Sequence, residues 1–258
     1  MITLLALFLY AASPGQQAYE KANQLLVAQR IPEAFAAVDE ALRLDPKLVP
    51  ALTLKAKLAM ATYRLDIAHE CLEKALAIEP RAPYANFLYG LEAYLGNDLQ
   101  AALPRFKKAR QLNPKDARAA LYLGLTVESL GDTTQALALY QESVRLDRTA
   151  ESLLPGARLL HLLGRFDESE KWLRQAAQLA PKSRDVHFEL ARLLLKKGDP
   201  AQAAQEGETA LQLSEGVVTD PAIHYLLIRA YRESNQPEKA TLHAETIKAQ
   251  DTTASQKQ

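Results

Sequence analysis

The sequence predicts an all-α fold in which short helices pair and the pairs stack in a row. Three prolines that close helical segments, Pro46, Pro80 and Pro114, lie 34 residues apart. A fixed period of this length is typical of an architecture built from repeated helix pairs. The composition agrees, because only 10 of the 258 residues are glycine and 48% are hydrophobic, with many of the strong helix formers Ala and Leu. We therefore expect the core to lie between neighbouring repeats.

A small residue near the start of each second helix sets the frame of the repeats. In chain order these residues are Ala34, Ala68, Ala102, Ala136, Ser169, Ala203 and Ala240. Their spacings are 34, 34, 34, 33, 34 and 37 residues, with one residue lost near 148–151 and three gained near 216–220. Changes of this size are expected in turns between repeats, where they cost little. The frame predicts seven units, at about 15–48, 49–82, 83–116, 117–149, 150–183, 184–217 and 221–250.

The two ends of the chain differ from the repeats. Residues 1–14 form an apolar segment and residues 251–258 a polar tail. The apolar run is too short for a membrane-spanning helix, which needs about 20 residues, and we predict no transmembrane span. Its length suits the core of a secretory signal, which would place the protein in the periplasm or outside the cell. The alternative is a helix that caps the first repeat of a cytoplasmic protein.

Between residues 15 and 250 the chain resembles a tetratricopeptide-repeat protein. The resemblance is carried by Gly90 and Gly124 in first helices, by the turns Asn97-Asp98, Gly131-Asp132, Gly164-Arg165 and Gly198-Asp199, and by Ala102, Phe106 and Ala109 in a second helix. It implies a right-handed α-solenoid of about seven antiparallel helix pairs. Pro155-Gly156 departs from the pattern because it falls inside an expected first helix, which predicts a late start or a kink there.

The same resemblance implies a binding groove lined by the first helix of each unit, with every third or fourth residue facing a partner. The partner-binding residues predicted in this way are Tyr19, Asn23, Tyr84, Phe87, Leu91, Tyr94, Arg158, Phe188, Arg192, Tyr225, Arg229 and Arg232. The spacing also adds Thr53, Lys57, Arg118, Leu154 and Asp185.

This set of residues indicates the kind of partner. Aromatic side chains offer a large contact area at low entropy cost, and arginine binds carboxylates with two hydrogen bonds. We expect a protein or peptide partner with an apolar centre and an acidic end, anchored by Tyr84, Phe87 and Tyr94. The alternatives are that the aromatic residues pack in the core and that the arginines are only solvated.

Two classes of partner are disfavoured. Chaperone-binding members of the family hold a carboxylate with a clamp of Lys, Asn and Arg side chains; here Asn23 fits that clamp, but the other clamp positions hold Tyr19, Leu54, Tyr84 and Leu88. Nucleic acid is disfavoured because 31 basic residues balance 31 acidic ones, which leaves no net field for a polyanion.

The sequence contains no established catalytic motif, and we predict no enzyme activity, metal or cofactor. His69-Glu70 begins a zinc-protease motif, but Glu73 stands where its second histidine belongs. His187 and His224 recur at one repeat position and are predicted to be partly buried and hydrogen-bonded. A groove enzyme that uses an acid/base pair such as Glu128 and His161 is the rival hypothesis. Self-association through an uncapped end is also left open.

Overall fold

The structure, a computed structural model, describes residues 12–255 and the side chains of residues 12–249. This part of the chain forms fourteen α-helices joined by short turns and contains no strand, which confirms the all-α prediction. The apolar run predicted as a signal or a cap lies, up to residue 11, outside the described residues.

The chain divides into two compact units, with the boundary between Leu130 and Gly131. The helices of the first unit are α1 (Pro14–Val27), α2 (Ile31–Leu44), α3 (Val49–Ala61), α4 (Leu65–Ile78), α5 (Pro83–Leu95), α6 (Leu99–Leu112) and α7 (Ala117–Ser129). Those of the second are α8 (Thr133–Leu146), α9 (Ala150–Leu162), α10 (Phe166–Leu179), α11 (Arg184–Lys197), α12 (Pro200–Gln212), α13 (Asp220–Glu233) and α14 (Pro237–Ser255). The last helix thus continues into the stretch predicted as a tail.

The changes in repeat length fall in connections between helix pairs. The connection before α9 spans residues 147–149 and is one residue shorter than the connection at 180–183. The connection before α13, at 213–219, is three residues longer than the connection at 180–183. The positions of both changes agree with the sequence frame.

Seven turns each hold one residue with left-handed backbone geometry. These residues are Gln29, Tyr63, Asn97, Gly131, Gly164, Gly198 and Asn235, with φ between 54° and 96°. Glycine adopts this geometry freely, whereas other residues pay a steric cost of roughly 1–2 kcal/mol. The first unit therefore makes its three turns without a glycine at this position.

Small residues allow the helices to approach closely. The seven residues that set the repeat frame are all at most 3% exposed. At Gly156, a Cβ atom would lie only 2.3 Å from Cζ3 of Trp172 on α10. Helix α9 runs through Pro155 without a break, and it begins at Ala150, so the predicted late start is wrong.

First helices form the inner layer of each unit. In the first unit α1 contacts α3, α3 contacts α5 and α5 contacts α7. In the second, α9 contacts α11 and α11 contacts α13. We call these two layers the inner face of the first unit and the inner face of the second unit.

Candidate functional site

The inner face of the first unit contains a cavity of about 280 Å³, which we call the inner-face pocket. Helices α1, α3 and α5 form it together with the loop before α5. It brings together three residues of the predicted binding set, Tyr19, Asn23 and Tyr84, and two further residues of the same spacing, Thr53 and Lys57. Side chains from three successive repeats thus converge on one cavity.

The pocket combines apolar walls with a few polar groups. The Thr53 hydroxyl is already used, because it donates a hydrogen bond to the carbonyl of Pro50 at 2.9 Å. Lys57 is exposed, and the described part of the chain provides no ion pair for it. Burial raises the pKa of Tyr84, so its hydroxyl keeps its proton and can both donate and accept. Glu79, also exposed, lines the same pocket. The pocket can therefore hold an apolar group, and it offers a partner one cationic side chain and one anionic side chain.

Phe87 does not belong to this surface. It is 4% exposed, and its ring lies 5.8 Å from that of Phe106 and 5.6 Å from that of Tyr122. The prediction that Phe87 contacts a partner is wrong, because neighbouring helices enclose its ring. Tyr84 and Tyr94, on the same helix, are half-buried and keep accessible surface.

Arg118 forms the α7 side of this aromatic region. Its guanidinium lies 5.5 Å from the ring centre of Tyr84 and 5.2 Å from that of Phe87. Two hydrogen bonds of 3.0 and 2.9 Å bind it to Asp116. Burial favours the protonated form of Asp116, but the hydrogen bonds from Arg118 outweigh that effect and lower its pKa. Arg118 is therefore held in place with its charge compensated.

The inner face of the second unit has a different chemistry. Arg158 Nε lies 2.8 Å from Glu189 Oε1, and Arg192 Nη1 lies 2.9 Å from Glu189 Oε2. Glu189 is only 5% exposed. The predicted role of these two arginines, to bind the acidic end of a partner, is corrected, because they already share an internal carboxylate. Glu189 is not among the predicted residues, although its spacing of three residues from Arg192 is typical of a helical ion pair.

The remaining predicted binding residues differ from one another in burial and in their contacts. Phe188 is half-buried beneath Arg192, whose guanidinium lies 5.9 Å from the ring centre. Tyr225 is exposed, and Arg229 is paired with Glu233 at 2.7 Å. Two more members of the set differ in exposure: Leu91 is half-buried and Arg232 is exposed.

A larger cavity of about 560 Å³ lies at the starts of α9 and α11 and is lined by Leu154 and Asp185. The Asp185 carboxylate accepts hydrogen bonds from the backbone amides of Val217 and Val218 at 3.0 and 2.9 Å. This carboxylate therefore holds the loop before α13. We favour the inner-face pocket as the binding site because it brings together Tyr19, Asn23 and Tyr84, whereas the larger cavity is lined by none of the twelve predicted partner-binding residues.

No group of three or more His, Cys, Asp or Glu side chains in the described residues is arranged to hold a metal ion. Cys71 is buried, and burial raises the pKa of its thiol. His69 instead contacts Glu92 and the hydroxyl of Tyr89, both at 3.3 Å. His187 and His224 are both hydrogen-bonded, as predicted.

Comparison with known proteins identifies the family. Two sequence models, both described as tetratricopeptide repeat, match residues 53–103 and 90–151, and residues 160–206 and 194–257. The chain belongs to the tetratricopeptide-repeat family. Tetratricopeptide-repeat proteins bind protein partners, and this relationship implies a protein-interaction scaffold.

One curated relative is anaphase-promoting complex subunit 3 of Schizosaccharomyces pombe, 27% identical over 176 residues, or 67% of this chain and 26% of the relative. Another is tetratricopeptide repeat protein 7B of Homo sapiens, 29% identical over 144 residues, or 55% of this chain and 17% of the relative. The chain thus spans about a quarter or less of the length of these relatives.

Solved structures show the same fold. PilF of Pseudomonas aeruginosa superposes with a TM-score of 0.70 at 23% identity, and the match covers 77% of this chain and 90% of PilF. This likeness confirms a tetratricopeptide-repeat solenoid. Within the described residues, no helix has both the length and the apolar character needed to cross a membrane.

Proposed function

We propose that this protein is a non-catalytic scaffold that binds an extended segment of a partner protein on the inner face of its first unit. The observation that supports this proposal is the inner-face pocket, where Tyr19, Asn23 and Tyr84 converge. These side chains lie on the first helices of the first and third repeats, and all three remain partly accessible.

The pocket also suggests what it binds. Tyr19, Tyr84 and Val49 are half-buried and offer apolar surface for one large aliphatic or aromatic side chain. Lys57 lies at the same cavity and is free to pair with a carboxylate. The partner segment would therefore carry an apolar residue followed by an acidic group. This arrangement moves the acidic contact from the arginines of the second unit, two of which bind Glu189, to Lys57.

The compartment is part of the proposal. The apolar residues near the N-terminus support export to the bacterial envelope or beyond, with the cytoplasm as the alternative. The compartment of the captured partner distinguishes the two.

A cross-linked pull-down from extract of the native host tests the proposed site. A Tyr19→Ala, Tyr84→Ala double variant is compared with the wild type and with Tyr63→Ala, which removes an exposed tyrosine outside the pocket. Circular dichroism and thermal unfolding establish that each variant is folded. We expect the main partner to be depleted at least about 10-fold by the double variant, as for the loss of aromatic hot spots, and to be retained by Tyr63→Ala. Equal recovery of partners with the double variant and the wild type would sink the assignment.

A further inference from the structure

Three helices of the second unit meet around a buried pair of histidines. His224 Nδ1 on α13 lies 2.8 Å from His243 Nδ1 on α14, and the two residues are 5% and 8% exposed. His243 Nε2 lies 3.1 Å from Glu208 Oε1 on α12, and the Tyr231 hydroxyl donates to the same oxygen at 2.9 Å. The Tyr231 ring stacks on the His243 ring, with 5.6 Å between the two ring centres. We call Glu208, His224, Tyr231 and His243 the histidine network.

The geometry limits how many protons this network can hold. Two Nδ1 atoms at hydrogen-bond distance share one proton, because one must donate and the other accept. His243 donates from Nε2 to the Glu208 carboxylate, so its Nδ1 accepts and His224 Nδ1 donates. One extra proton can enter at His224 Nε2 and leave this bond intact. A second extra proton places N–H groups on both Nδ1 atoms, and the two donors then face each other.

We propose that the histidine network is an acid-sensitive docking device, which holds α14 on α13 at neutral pH and releases it when both histidines are protonated. Helix α14 packs on α13 and reaches α12 through the contact of His243 with Glu208. Breaking the histidine pair therefore removes a polar link from one side of α14 and leaves a buried charge in its interface, which is costly.

The surrounding charges agree with this direction. Burial, followed by the charge of His243, lowers the pKa of His224, while Asp220 on α13 and Glu208 on α12 act in the opposite sense. Asp220 is itself bound by Arg184 of α11 at 2.5 Å. On α14, Lys239 Nζ lies over Tyr231, 5.1 Å from the ring centre. Burial raises the pKa of Tyr231 to about 12, so this hydroxyl remains a donor throughout the relevant pH range.

Hydrogen exchange on the full chain tests the device. Protection factors, corrected for the intrinsic pH dependence of exchange, are measured for the amides of residues 237–249 at pH 7 and pH 5. A lowered pKa means that the undocked form binds more protons, so docking weakens as the pH falls below the ordinary histidine value. For one histidine with an ordinary pKa of about 6.5, protection of α14 is expected to fall roughly 20- to 30-fold between these pH values.

His243→Asn is the decisive variant, because the asparagine oxygen accepts from His224 Nδ1 whether or not His224 Nε2 carries a proton, so no second donor can face it. We expect its α14 protection to change less than about 3-fold over the same range, since the ring nitrogen whose protonation breaks the pair is gone. His69→Asn, which removes an exposed histidine of the first unit, should behave like the wild type. Equal losses in the wild type and in His243→Asn, or no loss in the wild type, would overturn the proposal.

A second measurement covers the case in which His243→Asn does not dock α14 at pH 7. Imidazole resonances of the wild-type chain are followed by NMR from pH 8 to pH 4. The expected result is that His224 titrates below the ordinary histidine range and that the α14 amides shift together with it. Titration of His224 at its ordinary value without shifts of the α14 amides contradicts the device.

Discussion

The inner faces of the two units use side chains of their first helices for opposite purposes. In the first unit, Tyr84 keeps accessible aromatic surface at the inner-face pocket, and Tyr94 keeps accessible surface on the same helix. In the second, Arg158 and Arg192 are bound to the buried Glu189. Helical spacing therefore brings a side chain to the inner face. Whether that side chain is available to a partner is decided by what the next helix places opposite it.

The largest effect that we expect concerns the core beneath the first inner face. Phe87→Ala removes a ring enclosed by Phe106 and Tyr122 and should lower the free energy of unfolding by about 3–5 kcal/mol. Tyr94→Ala, on the same helix but half-buried, should cost clearly less. Urea unfolding of both variants measures the difference. Similar losses would show that the two aromatic positions are equally buried and would break the distinction between core and surface.

A smaller effect is expected at the ion pairs of the second inner face. Glu189→Gln keeps the volume but leaves two guanidinium groups without their shared carboxylate, which should cost about 2 kcal/mol because both arginines are partly solvated. Glu233→Gln removes the partner of Arg229 in an exposed pair and should cost less than about 0.5 kcal/mol. Denaturant unfolding at low salt compares them. An unchanged midpoint for Glu189→Gln would mean that this face is as open to a partner as the first.

The smallest effect that we expect is a pH-dependent contribution of His187, in the second unit, to the free energy of unfolding. His187 Nδ1 lies 2.7 Å from Glu206, and this hydrogen bond raises the pKa of His187 despite its burial. The pair should therefore stabilise the fold fully below about pH 6.5, and its contribution should be lost as the pH rises through the raised pKa of the folded state. We expect His187→Gln to cost more at pH 6 than at pH 9, by less than about 1 kcal/mol.

Unfolding midpoints of the wild type and His187→Gln across this range provide the measurement. His69→Gln, in the first unit, is the matched control for an exposed histidine. A difference between His187→Gln and the wild type that stays constant with pH contradicts the charged pair.

Local spacing predicts the features of this fold that repeat. The small residues from Ala34 to Ala240 follow the period and are buried, because each lies where two helices must approach closely. The changes in repeat length near 148–151 and 216–220 are also visible in the spacing, since connections absorb them.

The site depends on contacts that spacing does not contain. Phe87 and Tyr84 lie three residues apart on α5, and both satisfy the periodicity of the inner face. Their exposure differs because Phe106 and Tyr122 enclose only Phe87. The contact between Arg158 and Glu189 likewise joins neighbouring repeats, and no single-helix pattern contains it.

Spacing does not predict the histidine network for the same reason. The sequence predicts that His224 is hydrogen-bonded, but its partner, His243, lies on another helix. Histidine recurs at one repeat position as His187 and His224, but this recurrence does not predict their partners. The partner of His187 is a carboxylate, and the partner of His224 is a second histidine.

The left-handed turns bear on how the scaffold can change over evolutionary time. Gln29 and Tyr63 occupy a geometry that glycine adopts freely, and both are exposed outside the inner-face pocket. Repeats interact mainly with their neighbours, so gains made at separate turns should add. The N-terminal repeats thus hold a reserve of thermal tolerance that selection or protein engineering can draw on, turn by turn, without altering the surface that recognises a partner.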